Sequence, residues 1–207
     1  MPAPELLIDG PADADWTIAL AHGAGAGMES DFMAFFAEHL AKAGLRVVRF
    51  EFPYMQQRRT SGKKSPPNRE PVLRETWLAV IEELGADKLV IGGKSMGGRI
   101  ASLVADEAGV AGLVCLGYPF HPVGKPDRLR VEHLRELSTP TLILQGERDT
   151  FGNREEVPGY SLPGEIRIEW LPDGDHSFKP RKKSGHTLEQ NWTSAIESIV
   201  QFVTGLG

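Results

Sequence analysis

One short stretch in the middle of the chain constrains the fold more than any other. An apolar run at 88–91 leads into Gly-Gly-Lys-Ser-Met-Gly-Gly-Arg at 92–99, and a helical apolar pattern follows. This order predicts a buried strand, a sharp turn and a helix, with Ser95 at the turn between Gly93 and Gly97. Small residues are needed there because the strand and helix backbones approach closely. The turn lifts the hydroxyl clear of the backbone, so Ser95 is a candidate nucleophile.

Apolar runs that predict strands alternate with helical patterns along the rest of the chain. The other predicted strands are an edge strand at 5–9 and runs at 16–21, 45–50, 110–116, 140–145 and 166–171. Residues 54–69 are predicted to form a polar, basic loop. The alternation predicts a compact α/β fold, with a mostly parallel central sheet of about six or seven strands and helices on both faces. No repeat or boundary interrupts it, so residues 1–207 are predicted to form a single domain.

The composition narrows the classes of protein to which the chain can belong. A net charge of −5 argues against a dedicated nucleic-acid binder, because such domains are usually basic. The single cysteine allows no disulfide within the chain, and segment 1–16 is acidic without the apolar core of a signal peptide. No apolar run approaches the length of a membrane span. We therefore expect a cytoplasmic protein with neither nucleic-acid nor membrane partners.

Three residues that follow predicted strands form one candidate reaction centre. Ser95, Asp149 and His176 occur in that order along the chain. Sites in open α/β sheets form at the carboxyl ends of strands, so we expect these side chains to lie together. Serine at its ordinary pKa is a poor nucleophile, and a histidine whose pKa lies near neutrality can accept its proton. A carboxylate on the far ring nitrogen then fixes the tautomer of that histidine.

A glycine-rich loop at 22–27, after the strand at 16–21, is predicted to complete the centre. Negative charge that develops on a substrate oxygen needs backbone N–H donors that are already in place. The N–H of Met96, beside the nucleophile, is one expected donor. The second is the N–H of Ala24 or of Gly25, and the residues leave this choice open.

Six short motifs, spread over about residues 20–180 at the expected spacing, carry a resemblance to a known family. They are His22-Gly23-Ala24-Gly25, Phe52-Pro53-Tyr54-Met55, Pro66-Pro67, Gly93-Lys94-Ser95-Met96-Gly97-Gly98-Arg99, Gly146-Glu147-Arg148-Asp149 and Gly174-Asp175-His176-Ser177-Phe178. On these motifs the chain resembles the α/β-hydrolases related to dienelactone hydrolase, whose triad has the same order. More narrowly, it is similar to the small predicted hydrolases that include the testis-expressed and histone-acetyltransferase-complex-subunit branch. Dienelactone hydrolases carry a cysteine at the position of Ser95, so the resemblance does not carry their substrate over.

Rival assignments exist for the acid, the base and the elbow. Asp149 competes with Glu147 and with two aspartates beside His176, which are typical of turns. The five other histidines lie on a helix face, in loops, at helix ends or beside the glycine-rich loop. A phosphate-binding loop or a dinucleotide fingerprint would need glycine where Lys88 or Met28 stands. The alternative interpretation of the elbow is an ordinary strand-to-helix turn capped by serine. No spacing of histidine and acidic residues predicts a metal site.

Two basic stretches are predicted near the mouth of the cleft. Arg58 and Arg59 lie in one that contains no acidic residue, and Lys182 and Lys183 lie in the second. One interpretation is a pair of solvated loops with no special role. The other is a positive rim that attracts an anionic substrate or partner.

The residues and the resemblance together predict a serine hydrolase of compact α/β-hydrolase fold. Ser95, activated by His176 and oriented by Asp149, would attack an ester, a thioester or a similar carbonyl and form an acyl-enzyme. This reaction needs no cofactor, and its partner is a small-molecule acyl substrate. The alternative is a non-catalytic protein-interaction module, because a fold alone does not guarantee catalysis. The presence of all three triad residue types, in order, argues against that alternative.

Overall fold

The computed structural model describes residues 4–207, so the first three residues of the predicted domain 1–207 lie outside the described residues. The fold is built around a seven-stranded sheet. The strands are β1 (Leu6–Asp9), β2 (Thr17–Ala21), β3 (Arg46–Phe50), β4 (Leu89–Lys94), β5 (Gly112–Leu116), β6 (Thr141–Gly146) and β7 (Ile166–Leu171). Their order is β1-β3-β2-β4-β5-β6-β7, and every neighbouring pair is parallel except β1 with β3. The fold class and the strand count predicted from the sequence are confirmed.

Helices cover both faces of the sheet. Helices α1 (Asp31–Lys42) and α6 (Leu188–Thr204) pack on one face, and the other face carries four more helices. These are α2 (Pro53–Ser61), α3 (Glu70–Leu84), α4 (Met96–Ser102) and α5 (Ala105–Ala108). Short 3-10 helices at His133–Arg135, Val157–Tyr160 and Lys182–Ser184 lie in the connections. Because β5 and β6 are covered on both sides, every residue in them is buried, which explains why their sequences are continuous apolar runs.

The periodicity of α1 shows how the helices attach to the sheet. Met33, Phe36, Ala37 and Leu40 recur at helical spacing and are all buried. They belong to the same hydrophobic cluster as the buried side chains of β2 and β3 that point to this face. This apolar stripe fixes the rotation of α1, and its first turn then lies beside the carboxyl end of β2.

The prediction of a loop over 54–69 was wrong for its first half, where α2 forms. Pro53 occupies the first turn of the helix, a position where its missing N–H costs nothing. Tyr54 and Met55 are buried in the main core, so the otherwise polar segment has an apolar anchor. Gly62 ends the helix in the left-handed conformation, with φ of 69°. The apolar side of α2 spans too few positions to stand out as helical periodicity.

The carboxyl ends of the parallel strands all lie along one rim of the sheet. The segments after β2, β4, β6 and β7 therefore meet at this rim, as the topology of an open α/β sheet requires. Within residues 4–207, no helix combines the length and the hydropathy needed to cross a lipid bilayer.

Candidate active site

The turn between β4 and α4 has the strained geometry that the glycine spacing predicts. Ser95 has φ of 52° and ψ of −113°, a conformation that residues other than glycine rarely adopt. Gly93 has φ of 146°, and a Cβ on it would lie 2.1 Å from the carbonyl oxygen of Ala21. A Cβ on Gly97 would lie 2.4 Å from the same oxygen. The Ser95 N–H donates to the Leu116 carbonyl at 3.0 Å, so the serine is held between two neighbouring strands.

The structure brings together the three residues that the sequence places after separate strands. His176 Nε2 lies 2.8 Å from Ser95 Oγ, and His176 Nδ1 lies 2.7 Å from Asp149 Oδ2. The Asp149 side chain is fully buried, whereas 24% of the His176 side chain is exposed. With Nδ1–H donating to the carboxylate, Nε2 is the acceptor for the serine hydroxyl. This arrangement can remove the serine proton when the oxygen attacks a carbonyl carbon.

A buried glutamine that the sequence reasoning missed holds the Asp149 carboxylate in place. Gln145 Nε2 donates to Asp149 Oδ2 at 3.0 Å, and the Phe151 N–H donates to Oδ1 at 2.9 Å. Gln145 Oε1 accepts from the Tyr118 N–H at 2.8 Å, and Nε2 also donates to the Gly152 carbonyl at 3.0 Å. In the sequence, the feature that could have indicated a role for Gln145 is its single amide side chain directly after the apolar residues of β6.

A lysine next to the nucleophile, also missed, acts on the electrostatics of the imidazole. Lys94 Nζ donates to the carbonyl oxygen of His176 and lies 5.3 Å from the centroid of the Phe32 ring. Burial lowers the pKa of Lys94 to about 8. Burial also lowers the pKa of His176, the hydrogen bond with Asp149 raises it, and the Lys94 charge lowers it further. The imidazole is therefore held in the neutral form that a general base requires.

The glycine-rich loop after β2 is fixed through its carbonyl groups. His22 Nδ1 donates to the Gly23 carbonyl at 2.7 Å, and the Tyr54 hydroxyl donates to the Ala24 carbonyl at 3.1 Å. Burial lowers the pKa of His22 to about 4, so this histidine is neutral and structural at pH 7. A trans peptide points its N–H away from its carbonyl, so the N–H groups of Ala24 and Gly25 face away from these donors.

The other expected donor is the N–H of Met96. Met96 is the first residue of α4, where backbone N–H groups have no acceptor within the helix. The positive end of the helix dipole reinforces the attraction for negative charge at this point. Ala24 of the glycine-rich loop and Met96 of the elbow line the same cavity as Ser95.

Two cavities adjoin Ser95 in the described part of the chain. The first, called the Phe32 cavity, has a volume of about 360 Å³. Its lining includes Phe32, Met33, Lys94, Phe151 and His176. The second, called the Arg130 cavity, has a volume of about 350 Å³. Its lining includes Leu73, Met96, Arg99, Ile100 and Arg130. Ala24 is the residue of the glycine-rich loop that lines both, which favours it over Gly25 as the second N–H donor.

The four residues of the predicted basic rim lie outside the linings of these two cavities. Arg58 donates to the Ala24 carbonyl at 3.4 Å, and Arg59 forms ion pairs with Glu5 and Glu51. Lys182 and Lys183 are exposed. A role of the rim in attracting anions stays a prediction.

A second serine–histidine pair lies deeper in the protein. Ser102 Oγ is 2.8 Å from His133 Nε2 and donates to the Arg99 carbonyl at 2.7 Å. Only 3% of Ser102 is exposed, and burial lowers the pKa of His133 to about 4. Within residues 4–207, no carboxylate is hydrogen-bonded to His133, and no group of three or more His, Cys, Asp or Glu side chains is placed to hold a metal ion.

Solved structures with the same architecture cover nearly all of the chain. An α/β serine hydrolase without a lid from Xanthomonas campestris is 18% identical, with a TM-score of 0.69 over 95% of this chain and 88% of that one. Dienelactone hydrolase from Anabaena variabilis is 20% identical, with a TM-score of 0.68 over 97% and 90%. Est1E from Butyrivibrio proteoclasticus is 15% identical, with a TM-score of 0.68 over 96% and 94%.

These likenesses show a common fold at low sequence identity. A family model described as an alpha/beta hydrolase domain matches residues 14–204, which is nearly the whole chain. The protein therefore belongs to the family of the alpha/beta hydrolase domain.

Proposed function

We propose that this protein is a serine hydrolase that cleaves esters, thioesters or related acyl bonds through an acyl-enzyme. The observation that carries the proposal is the hydrogen-bonded chain from Ser95 through His176 to Asp149, with distances of 2.8 and 2.7 Å. The alpha/beta hydrolase family and the serine hydrolases among the similar structures support the class of reaction. The six motifs support a place in the narrower group that includes the testis-expressed and histone-acetyltransferase-complex-subunit branch. The single continuous sheet supports the proposal that the chain forms one domain.

In the acylation step, the Ser95 oxygen forms a bond to the substrate carbonyl carbon while its proton moves to His176 Nε2. The carbonyl oxygen becomes negative and accepts hydrogen bonds from the N–H groups of Met96 and of Ala24 or Gly25. The bond to the leaving group then breaks, and the leaving atom takes the proton from Nε2. Asp149 holds the imidazole in the required tautomer and stabilises its charged form.

The deacylation step repeats these movements with water. His176 Nε2 removes a proton from the water while the water oxygen attacks the acyl carbon. The bond to Ser95 Oγ breaks, and that oxygen regains its proton from His176. A small-molecule carboxylic acid is released, and none of these steps requires a cofactor.

Labelling with a fluorophosphonate probe tests this function. We expect the wild-type protein to become labelled and Ser95→Ala to lose all labelling, because the probe reacts only with an activated serine. Ser102→Ala is the matched control and should keep its labelling, since Ser102 is buried and outside both cavities. A folded wild-type protein that stays unlabelled would contradict the proposal and favour a non-catalytic interaction module.

The pH profile of hydrolysis should depend on Lys94. Activity requires neutral His176 and therefore rises as the pH increases through the pKa of His176, which burial lowers from its ordinary value. In Lys94→Gln the nearby cation is gone, the pKa of His176 rises, and the acidic limb of kcat/KM moves to higher pH. Well above that pKa His176 is neutral in both proteins, so the two pH profiles should converge there.

Lys179→Gln provides the control for that measurement, because Lys179 is exposed and near His176 in sequence. We expect its pH profile to match wild type. Identical acidic limbs in Lys94→Gln and in wild type would show that the lysine charge does not act on the imidazole.

A further inference from the structure

Two arginines line the Arg130 cavity together with the candidate nucleophile. Arg99 lies one helical turn after Ser95, and its N–H donates to the Ser95 carbonyl at 3.0 Å. Residues at this spacing project from the same side of a helix, so the Arg99 side chain extends along the cavity wall. Arg130 reaches the same cavity from the segment between β5 and β6. Neither residue belongs to a site predicted from the sequence.

The charges around this cavity do not cancel. Arg99 Nη2 pairs with Glu70 Oε2 at 2.9 Å. The Arg130 guanidinium has no hydrogen bond or ion pair in the part of the chain that the structure describes, and its pKa is lowered by burial and by the charge of Arg99. His133 behind them is neutral at pH 7. One positive charge is therefore left over, half-buried, where a ligand with one negative charge would stabilise it.

The position of His176 indicates which of the two cavities holds the leaving group and which holds the acyl group of a substrate. The proton on Nε2 must reach the leaving atom, so the leaving group lies on the side of the imidazole. His176 lines the Phe32 cavity and is not part of the lining of the Arg130 cavity. The Arg130 cavity is therefore on the acyl side of the scissile bond. Leu73, Met96 and Ile100 give it apolar walls between Ser95 and the arginines, suited to a chain of methylene groups.

From this placement we propose that the acyl group of the substrate carries a second carboxylate, which Arg130 binds with support from Arg99. The proposal rests on the serine hydrolase function and names the substrate class: monoesters or monothioesters of small dicarboxylic acids. A carboxylate matches the single unpaired charge and the planar donors of a guanidinium. This site lies inside the cleft and is distinct from the basic rim of Arg58, Arg59, Lys182 and Lys183.

Matched pairs of p-nitrophenyl esters test the proposal. Monoesters of succinate, glutarate and adipate are compared with the butyrate, pentanoate and hexanoate esters, and the rate with Ser95→Ala protein is subtracted as background. We expect wild type to have the higher kcat/KM for at least one anionic ester of a pair. Arg130→Gln should lower that kcat/KM about 10- to 100-fold, the loss expected for a charged hydrogen bond, and leave the neutral ester within about twofold.

Arg128→Gln is the matched control, because Arg128 is an exposed arginine in the same connection. It should leave both esters within about twofold of wild type, since exposed charges contribute little. A charge reversal, Arg130→Glu, should instead favour a p-nitrophenyl 6-aminohexanoate over the anionic esters. Circular dichroism of each variant checks that the fold is retained.

The failures of the two proposals are distinguishable. Equal losses on anionic and neutral esters in Arg130→Gln, or no preference of wild type within any pair, would overturn the carboxylate subsite. Neutral esters would then still be hydrolysed in a Ser95-dependent manner, and the serine hydrolase function would stand. Absence of both hydrolysis and fluorophosphonate labelling in the folded wild-type protein would overturn both proposals.

Discussion

Replacing Asp149 by Asn should lower kcat about 10⁴-fold while the protein stays folded. The Asp149 carboxylate accepts three hydrogen bonds, from His176 Nδ1, Gln145 Nε2 and the Phe151 N–H. An amide has one oxygen and one NH₂ group, so it cannot accept all three. If its NH₂ group faces the imidazole, the proton moves to Nε2, and the ring then presents a donor to Ser95 where an acceptor is needed.

Steady-state hydrolysis of p-nitrophenyl hexanoate measures this loss. Asp175→Asn is the matched control, because Asp175 precedes His176 and its Oδ1 accepts the N–H groups of Ser177 and Lys179. An amide oxygen can accept the same two bonds, so we expect kcat within about threefold of wild type. If Asp149→Asn kept more than about a tenth of wild-type kcat, another group would have to orient the imidazole.

Replacing Gly93 by Ala should destabilise the protein by about 4 kcal/mol. The φ of 146° is a conformation that L-residues avoid, and forcing one into it costs about 1–3 kcal/mol. The added Cβ would also lie 2.1 Å from the carbonyl oxygen of Ala21 and within 3 Å of its N and C atoms. These atoms belong to the backbone of β2, which pairs with β4, so they cannot move without disturbing the sheet. Overpacking of this kind costs about 1–3 kcal/mol more.

Equilibrium unfolding in urea measures this destabilisation as a fall in the midpoint at an unchanged m-value. Gly25→Ala is the control, because a Cβ at Gly25 meets no atom within 4 Å and the residue has no positive φ. Its stability should change by less than about 0.5 kcal/mol. Equal midpoints for the two variants would mean that β2 and β4 can separate at the elbow without cost.

The sequence predicts this fold well because its strongest signals are local and repeated. Continuous apolar runs identify β4, β5 and β6, and these buried strands order the rest of the sheet. Ser95, Asp149 and His176 can be placed at one rim because each follows a strand, and topology alone brings strand ends together. Their contacts agree with that placement, and their catalytic roles stay a proposal.

The residues that sequence reasoning missed depend on longer-range geometry. Arg130 lies in an irregular connection, so nothing in its neighbours indicates that its side chain turns toward α4. Lys94 is part of the elbow motif, but its approach to the His176 carbonyl requires the segment after β7 to be in place. Helix α2 was missed because its core contacts, Tyr54 and Met55, are adjacent in sequence and create no helical period.

The division of the cleft by Ser95 has a practical consequence for altering selectivity. Under the proposed mechanism, the alcohol part of an ester lies in the Phe32 cavity and the acyl part lies in the Arg130 cavity. The preference for the alcohol and the preference for the acid can therefore be altered separately. Substitutions at Phe32 or Met33 would change which alcohols are released, and substitutions at Leu73 or Arg130 would change which acids are accepted. Ala24, Ser95 and Phe151 line both cavities. Substitutions that alter selectivity must leave this shared wall intact.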